Sequence, residues 1–198
     1  MQSKSEIREI FKKNRLALDP VEARIQSQLV NQNFIFNLLP KIYSKEKIFS
    51  LYIPASNEVD PTAIANFFKK NNIKFSYPKI ISDNLPLQFI AYENEQKFSN
   101  NNTYSKILEP ESGKIITPDI LIIPLVAFDR KLYRLGMGKG FFDKTIANLK
   151  SQGKKITTIG LAYDSQRFEG LLPIENTDQR LDFIALPTSL IRANPLFL

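Results

Sequence analysis

The feature that most constrains the fold is an almost uninterrupted apolar run, DILIIPLVAF, at residues 119–128. A strand with one face in water alternates apolar and polar residues, whereas a strand covered on both faces is apolar throughout. The run therefore predicts a strand inside a sheet that has helices packed on both sides. With 198 residues, 43% of them hydrophobic, the chain is large enough to bury such a core.

Segments typical of strands and helices alternate along the rest of the chain. Further strands are predicted at 47–55, 73–80, 87–92, 156–163 and 181–187. Helices are predicted at 4–18, from Asp19-Pro20 to about residue 39, after Asp60-Pro61, and at 141–150. The alternation predicts an α/β fold with a mainly parallel, mixed sheet and helices on both faces. We expect one domain over 1–198, with N-terminal helices at about 4–39 and the sheet at about 47–188.

The first two predicted helices carry distinct stripes of residues. Ile7, Ile10, Phe11 and Leu18 recur on one face of the first helix, and Lys4, Arg8, Lys12 and Arg15 form a basic stripe on another. Val21, Ile25 and Leu29 form the apolar stripe of the second helix. The polar, Asn-rich segment 93–114 is expected to be a long loop over the edge of the sheet.

Two absences from the composition limit the chemistry. The chain has no cysteine and no histidine, which excludes disulfides, thiolate nucleophiles, Ser-His-Asp triads and the usual ligands of transition metals. A metal would need oxygen ligands, which favours Mg²⁺ or Ca²⁺. The net charge of +7 and pI of about 9.5 suit an anionic partner, although lysine on a solvated surface explains most of such an excess.

The segment DRKLYRLGMGKGFFDK, residues 129–144, concentrates three of the seven glycines at positions 136, 138 and 140. It lies between the predicted buried strand and a predicted helix, which is where open α/β sheets bind ligands. Glycine lets backbone N–H groups approach an anion closely, and a helix N-terminus adds unpaired donors. Arg134 and Lys139 add positive charge, and Asp143 could hold a magnesium ion that bridges phosphates.

This segment matches neither common phosphate-binding fingerprint. No glycine precedes the Gly138-Lys139 pair by five residues and no Ser or Thr follows it, as a Walker A loop requires. Phe141 stands where the dinucleotide fingerprint needs a third glycine. A turn in which glycine merely permits positive φ is the alternative, but the surrounding charges and the strand-to-helix position favour phosphate binding.

The segment RLGMGKGFFD, preceded by DILIIPLVAFD, resembles the signature of the 5-formyltetrahydrofolate cyclo-ligases, also called methenyltetrahydrofolate synthetases. Lys4 and Arg8 in the first helix, Glu58 in ASNEVD, and the segment GLAYDSQRFEGLLPIENTDQRLDFIALPT are similar to that family in order and spacing. The resemblance extends from about residue 3 to residue 188. It departs from the family at Phe141-Phe142, where a tyrosine is usual, at Leu132, where glycine is frequent, and at Thr177, where histidine is frequent.

The resemblance implies an ATP- and Mg²⁺-dependent ligase that converts 5-formyltetrahydrofolate to 5,10-methenyltetrahydrofolate and releases ADP and phosphate. The formyl oxygen would attack the γ-phosphate of ATP, and N10 would then close the ring as phosphate leaves. The nucleophiles in this reaction belong to the substrate. Such a protein therefore needs positioning and charge neutralisation more than a histidine base.

The resemblance also implies roles for individual residues. Those for ATP are Lys4, Arg134, Gly136, Gly138, Lys139, Gly140 and Phe142. Those that act directly in catalysis are Arg134, Lys139 and Asp143, and the magnesium ligands are Asp143 and Asp178. Those for the folate are Arg8, Glu58, Met137 and Phe141, with Tyr104 as a candidate for stacking on the pterin.

The remaining expectations concern context and alternatives. The N-terminus lacks the apolar block of a secretory signal and no apolar run is long enough to span a bilayer, so we expect a cytoplasmic monomer with no membrane partner. A sugar-phosphate isomerase or acyl-CoA transferase relative could use the same glycine segment without ATP. A nucleic-acid-binding module would need basic and aromatic residues interleaved on an exposed surface, and the aromatic residues fall mostly at apolar positions.

Overall fold

The computed structural model describes residues 2–55, 57–105 and 107–193. Its helices are α1 (Lys4–Leu16), α2 (Pro20–Asn33), a π-helical turn (Phe34–Leu38), α3 (Leu39–Ile42), α4 (Thr62–Lys70), α5 (Phe141–Ser151) and a 3₁₀ turn (Asp164–Gln166). Its strands are β1 (Phe49–Ser50), β2 (Phe75–Lys79), β3 (Gln88–Ala91), β4 (Phe98–Asn100), β5 (Leu108–Pro110), β6 (Ile120–Pro124), β7 (Ala127–Phe128), β8 (Arg134–Leu135), β9 (Thr157–Leu161), β10 (Phe183–Ala185) and β11 (Leu190–Arg192). None of the described helices has the length and apolar character that crossing a membrane requires.

Seven strands form one mixed sheet in the order β11-β10-β9-β6-β1-β2-β3. The five inner strands run parallel to one another, and the edge strands β3 and β11 are antiparallel to β2 and β10. The predicted α/β class with a mainly parallel sheet is therefore confirmed. After β1 the chain adds β2 and β3 towards one edge of the sheet, and after β6 it adds β9 and β10 towards the other. The strand order therefore switches direction between β1 and β6.

The core lies in two layers on opposite faces of the sheet. Side chains of α2 and α4, among them Val30, Ile64 and Phe68, pack on one face. Ile146 and Leu149 of α5 pack on the other face. The prediction of helices on both faces is confirmed, and it follows from the central strand β6, whose first four residues are buried.

The helix starts agree with their sequence signals. Ser3 and Glu6 form a capping box at the start of α1, and Asp19 accepts hydrogen bonds from the first backbone N–H groups of α2, with Pro20 as its first residue. Along α1, Ile7 is buried as expected, but Ile10 is 44% exposed. The expectation that Ile10 belongs to the buried face was wrong.

The apolar stripe of α2 does not face the core. Val21, Ile25 and Leu29 are 53%, 50% and 40% exposed, whereas Ser27 and Asn31 on the opposite side are buried. The hydrogen bonds of Ser27 and Asn31 explain this orientation, because they pair buried hydroxyl, N–H and carbonyl groups that would otherwise lack a partner. Ser27 Oγ bonds the hydroxyl of Tyr163 and accepts from the N–H of Asp60, and Asn31 donates to the carbonyl of Asp60.

Two predicted segments have more structure than expected. Residues 93–114 are not one long loop, because β4 and β5 pair within them as an antiparallel hairpin. The apolar run 119–128 is not one strand, because β6 ends at Pro124 and β7 leaves the main sheet to pair with β8. Strand β11, which the sequence did not suggest, adds an antiparallel edge beside β10.

Candidate active site

A large cavity opens beyond the carboxyl ends of β1 and β6, at the point where the strand order switches. Its volume is about 1030 Å³, at the upper end of the roughly 300–1,000 Å³ of ordinary ligand pockets. Tyr52 and Glu58 come from the segment after β1, and Leu125 comes from the segment after β6. This is the position at which open α/β sheets bind ligands.

The glycine segment forms one wall of the cavity. Gly138 and Gly140 have φ values of +105° and +66°, a region that favours glycine. Gly140 is also the N-cap of α5, and no side chain within the described ranges caps that end. The first N–H groups of an eleven-residue helix thus lie beside the cavity, where they form a ready site for an anion.

Arg134 and Asp143 are fixed to each other in this wall. Arg134 donates to Asp143 Oδ1 at 3.1 Å and to the carbonyl of Gln179 at 2.6 Å. The N–H of Gln179 donates to the same Asp143 oxygen at 2.9 Å. Burial lowers the pKa of Arg134, and the carboxylates of Asp143 and Asp178 oppose that shift. An arginine titrates so high that it stays charged, so a buried cation faces the cavity.

Helix α1 brings two more cations to the same wall. Lys4 Nζ lies 2.5 Å from Asp178 Oδ2 and 3.2 Å from Glu175. Arg8 Nε donates to the carbonyl of Gly136 at 2.8 Å. The two residues are one turn apart and therefore lie on one face of the helix. This face is turned to the cavity, so the basic stripe is not simply a solvated surface.

Few carboxylates in the cavity are placed to bind a metal ion. The described residues contain no group of three or more acidic side chains that could hold an ion by themselves. Asp143 and Asp178 both act on Arg134, which puts the two carboxylates near one buried cation. One or two carboxylates are what Mg²⁺ uses when phosphates and water supply its other ligands. Asp143 and Asp178 could therefore supply two oxygen ligands to a magnesium ion whose other ligands come from outside the protein.

The base of the cavity contains a second charged pair, Glu58 and Arg15. Glu58 Oε1 lies 3.7 Å from Arg15, and Glu58 Oε2 accepts from the N–H of Ala55 at 3.0 Å. Burial raises the pKa of Glu58, and the nearby Arg15 offsets part of that increase. Tyr52 lies beside them, and its hydroxyl donates to the carbonyl of Val59 at 2.6 Å.

Aromatic side chains line the cavity beside the glycine segment. The rings of Tyr104 and Phe141 meet edge to face, with their centroids 5.8 Å apart. Asp83 accepts a hydrogen bond from the Tyr104 hydroxyl and pairs with Lys139 at 3.1 Å. The hydrogen bond from Tyr104 lowers the pKa of Asp83, and that to Asp83 raises the pKa of Lys139. Through these two bonds, Asp83 connects the glycine segment to the loop that carries Tyr104.

Every residue that the sequence singled out for the site lines this one cavity. They are Lys4, Arg8, Glu58, Tyr104, Arg134, Gly136, Met137, Gly138, Lys139, Gly140, Phe141, Phe142, Asp143 and Asp178. The structure thereby brings together positions that are up to 174 residues apart in the chain. Met137 is more than half exposed, so it lies at the mouth rather than inside.

Sequence reasoning missed Arg15, Asp83 and Glu109 as parts of the site. Arg15 had a signal, because it follows Lys4 by eleven residues and so returns to the same helix face. Glu109 is buried in β5 and binds Asn101, whose side chain in turn holds the N–H of Tyr104. Asp83 and Glu109 had no signal, because they act through loop contacts that no periodic pattern predicts.

Comparison with known proteins agrees with the geometry. Residues 1–187 match the model of the 5-formyltetrahydrofolate cyclo-ligase family. The chain is 35% identical to the 5-formyltetrahydrofolate cyclo-ligase of Mycoplasma pneumoniae, over 91% of this chain and 96% of that protein. It is 32% identical to the enzyme of the same name from Haemophilus influenzae, over 89% and 94% of the two chains.

Solved structures give the same result. The 5,10-methenyltetrahydrofolate synthetase from Mycoplasma pneumoniae superposes with a TM-score of 0.73 at 30% identity, over 94% of this chain and 99% of that one. The synthetase from Aquifex aeolicus superposes with a TM-score of 0.78 at 27% identity, over 96% and 93% of the two chains. The chain thus belongs to the 5-formyltetrahydrofolate cyclo-ligase family of enzymes.

Proposed function

We propose that this protein closes 5-formyltetrahydrofolate to 5,10-methenyltetrahydrofolate with ATP and Mg²⁺, and releases ADP and phosphate. The observation that carries the proposal is the division of one cavity into two chemically different ends. Lys4, Arg134, Asp143 and Asp178 form one charged cluster beside the glycine segment, and Glu58 with Arg15 and Tyr52 forms a separate one. Both clusters line the same cavity. The volume of about 1030 Å³ suits two ligands that must meet.

The cationic end suits a triphosphate. Lys4 and Arg134 approach it from two elements, and the N-terminus of α5 adds backbone donors. Phosphoryl transfer depends on positioning and on stabilising the charge of the transferred group. A buried arginine is suited to this task because it is already desolvated and held in place by Gln179 and Asp143. Lys139 on the glycine segment would contact the same phosphates after releasing Asp83.

Asp143 and Asp178 would hold the magnesium ion that accompanies ATP. The ion would neutralise charge on the phosphate oxygens and help to hold them in line with the attacking atom. Both carboxylates are paired with cations, Asp143 with Arg134 and Asp178 with Lys4. Binding of the nucleotide would therefore exchange these internal pairs for contacts to phosphate and metal.

The reaction would take place where the two ends meet, beside Gly136–Gly140. The formyl oxygen attacks the γ-phosphorus, the bond to ADP breaks, and the formyl carbon becomes activated. N10 of the folate then attacks that carbon and loses its proton to the departing phosphate or to water, and phosphate leaves with the formyl oxygen as the new C–N bond forms. The chain has no histidine, and the nucleophile of each step belongs to the substrate. Arg134 and Lys139 would stabilise the phosphate charge in both steps.

The other end suits the folate. Glu58 would accept hydrogen bonds from the heterocycle, Phe141 and Tyr104 would pack against its ring, and Arg8 and Met137 would contact the substrate near the mouth. The basic face of α1 argues against nucleic-acid binding, because the side chains of Arg15 and Lys4 on that face are buried or nearly so. We further propose that the protein acts as a cytoplasmic monomer of one domain.

The proposal is tested by binding each ligand separately. Mg-ATP without folate, and 5-formyltetrahydrofolate without nucleotide, should each protect the protein against thermal unfolding. At 100 times the dissociation constant, a ligand adds about 2.7 kcal/mol, which for a chain of this size is roughly 5–10 °C in Tm. Protection by a sugar phosphate or coenzyme A, with none by ATP or folate, would instead support another enzyme on this scaffold.

A further inference from the structure

The base of the cavity contains a buried cation to which the proposed reaction gives no role. Arg15 lies in the last turn of α1 and is 2% exposed. Its NH1 is 3.7 Å from Glu58 Oε1, which is too long for a direct hydrogen bond. The two groups therefore interact through their charges, while the N–H of Ala55 fixes the other carboxylate oxygen.

Arg15 is held in place by its surroundings but is not fully satisfied. Its NH1 donates to the carbonyl of Leu125 at 3.2 Å, and Asn57 binds its backbone carbonyl. Its Nε has no hydrogen-bond partner within the described ranges. A buried ion pair with an unused donor gives little net stability, so stability alone is a poor reason for this pair. Its position against the cavity gives a better one.

The other titratable groups around Glu58 cannot replace Arg15. They are Tyr52, Tyr163 and Asp60, and the carboxylates of Glu58 and Asp60 act electrostatically on the two tyrosines. Burial raises the pKa of both tyrosines, so they are neutral near pH 7. Asp60 has an acidic side chain, which accepts from the N–H and the hydroxyl of Thr62. Among the described groups that shift Glu58, Arg15 is the cation.

We propose that Arg15 is a positioning residue that holds the Glu58 carboxylate as an oriented anion at the base of the cavity, where it accepts N–H donors of the folate ring. This inference rests on the proposed function. Lys4, Arg8 and Arg15 fall within about 40° of one another around α1. One helix therefore supplies cations to both ends of the cavity: Lys4 for the phosphates, and Arg8 and Arg15 for the folate and the group that binds it.

The test compares Arg15→Met with Arg15→Lys and the wild type. Dissociation constants for 5-formyltetrahydrofolate are measured by calorimetry without nucleotide, from pH 5 to pH 8. Arg15→Met should weaken folate binding about 10-fold or more at pH 7, and raising the pH should recover part of the loss, because Glu58 then ionises without help. Arg15→Lys should retain a pH dependence close to that of the wild type. Binding of Mg-ATP should be unchanged in both variants and serves as the control for folding.

Several results would overturn the proposal. If Arg15→Met binds folate with unchanged affinity and pH dependence, Arg15 does not act on Glu58. If Arg15→Met does not fold, Glu58→Gln decides: its folate affinity should be weak and independent of pH, and a wild-type pH profile in this variant would contradict the proposal. If the wild type binds ATP but no folate at any pH, the proposed function fails, and the role of Arg15 fails with it.

Discussion

Arg134 donates a hydrogen bond to Asp143 across 3.1 Å, and the backbone N–H of Gln179 donates to the same carboxylate oxygen across 2.9 Å. The residue proposed to bind the phosphates thus holds the residue proposed to bind the metal. Both are positioned before a ligand arrives, since their partners come from the protein itself. Such preorganisation is how enzymes stabilise transferring charge without a large rearrangement.

Replacing Asp143 with Asn tests this arrangement. The amide oxygen can still accept from Arg134 and Gln179, so we expect a shift in Tm of no more than a few degrees. The lost charge should lower kcat about 100-fold or more, by analogy with the loss of a single electrostatic contact in other enzymes. Steady-state kinetics with varied Mg²⁺ measure the effect. Asp164→Asn, at an exposed position, is the control; if both variants turn over equally, the metal assignment is wrong.

Lys4 provides a second test of the phosphate end. Its charged bonds to Asp178 and Glu175 would be exchanged for bonds to phosphate. A hydrogen bond to a charged group contributes about 1.5–3 kcal/mol, so Lys4→Met should raise the KM for ATP about 10- to 100-fold and leave that for folate nearly unchanged. Lys12→Met is the matched control, because Lys12 lies on the same helix and pairs only with Glu9 among the described residues. An equal effect on the two substrates would contradict the assignment.

Leu132 provides a test of stability that is independent of function. Its φ is +64° and its side chain is 1% exposed, so a strained backbone holds a buried leucine. Removing the side chain costs about 2–5 kcal/mol, but glycine also relieves left-handed strain of roughly 1–2 kcal/mol. We expect Leu132→Gly to be destabilised, yet less so than Leu132→Ala. The same pair at Leu149 in α5 should show the reverse order, by about 1 kcal/mol. Thermal unfolding of the four variants measures both differences.

The same residue shows what the sequence could and could not predict. The contrast with the family, where glycine is frequent at this place, pointed to position 132, but only the structure shows that its backbone is left-handed. The fold class followed from the buried run 119–128, because a strand covered on both faces needs helices on both faces. The glycine segment and its charges were also readable, because glycine, cations and a helix start have local signatures.

The orientation of α2 could not be read in this way. Val21, Ile25 and Leu29 have helical spacing, but the hydrogen bonds of Ser27 and Asn31 with distant partners decide which side is buried. Those partners become neighbours only after folding, so no local pattern reports them. The same holds for Asp83 and Lys139, which are 56 residues apart in the chain.

The pH dependence of stability should reveal the state of Glu58. Burial raises its pKa in the folded protein, whereas in the unfolded chain a glutamate titrates near pH 4.3. The folded state therefore holds this proton to higher pH. The free energy of unfolding should fall as the pH rises from about 4.3 through the raised pKa, and then level off. Urea unfolding of the wild type and Glu58→Gln from pH 4 to pH 8 isolates the effect: the stability of the wild type relative to the variant should decrease over this range. A constant difference would mean that Glu58 titrates normally.

The central claim is tested most directly by mixing the protein with Mg-ATP and 5-formyltetrahydrofolate and following the absorbance of 5,10-methenyltetrahydrofolate while phosphate release is measured in parallel. The proposed function predicts a methenyl signal that requires both ATP and Mg²⁺, with one phosphate released for each ring closed. No ATP-dependent signal at high protein concentration, with a known cyclo-ligase active in the same mixture, would contradict it.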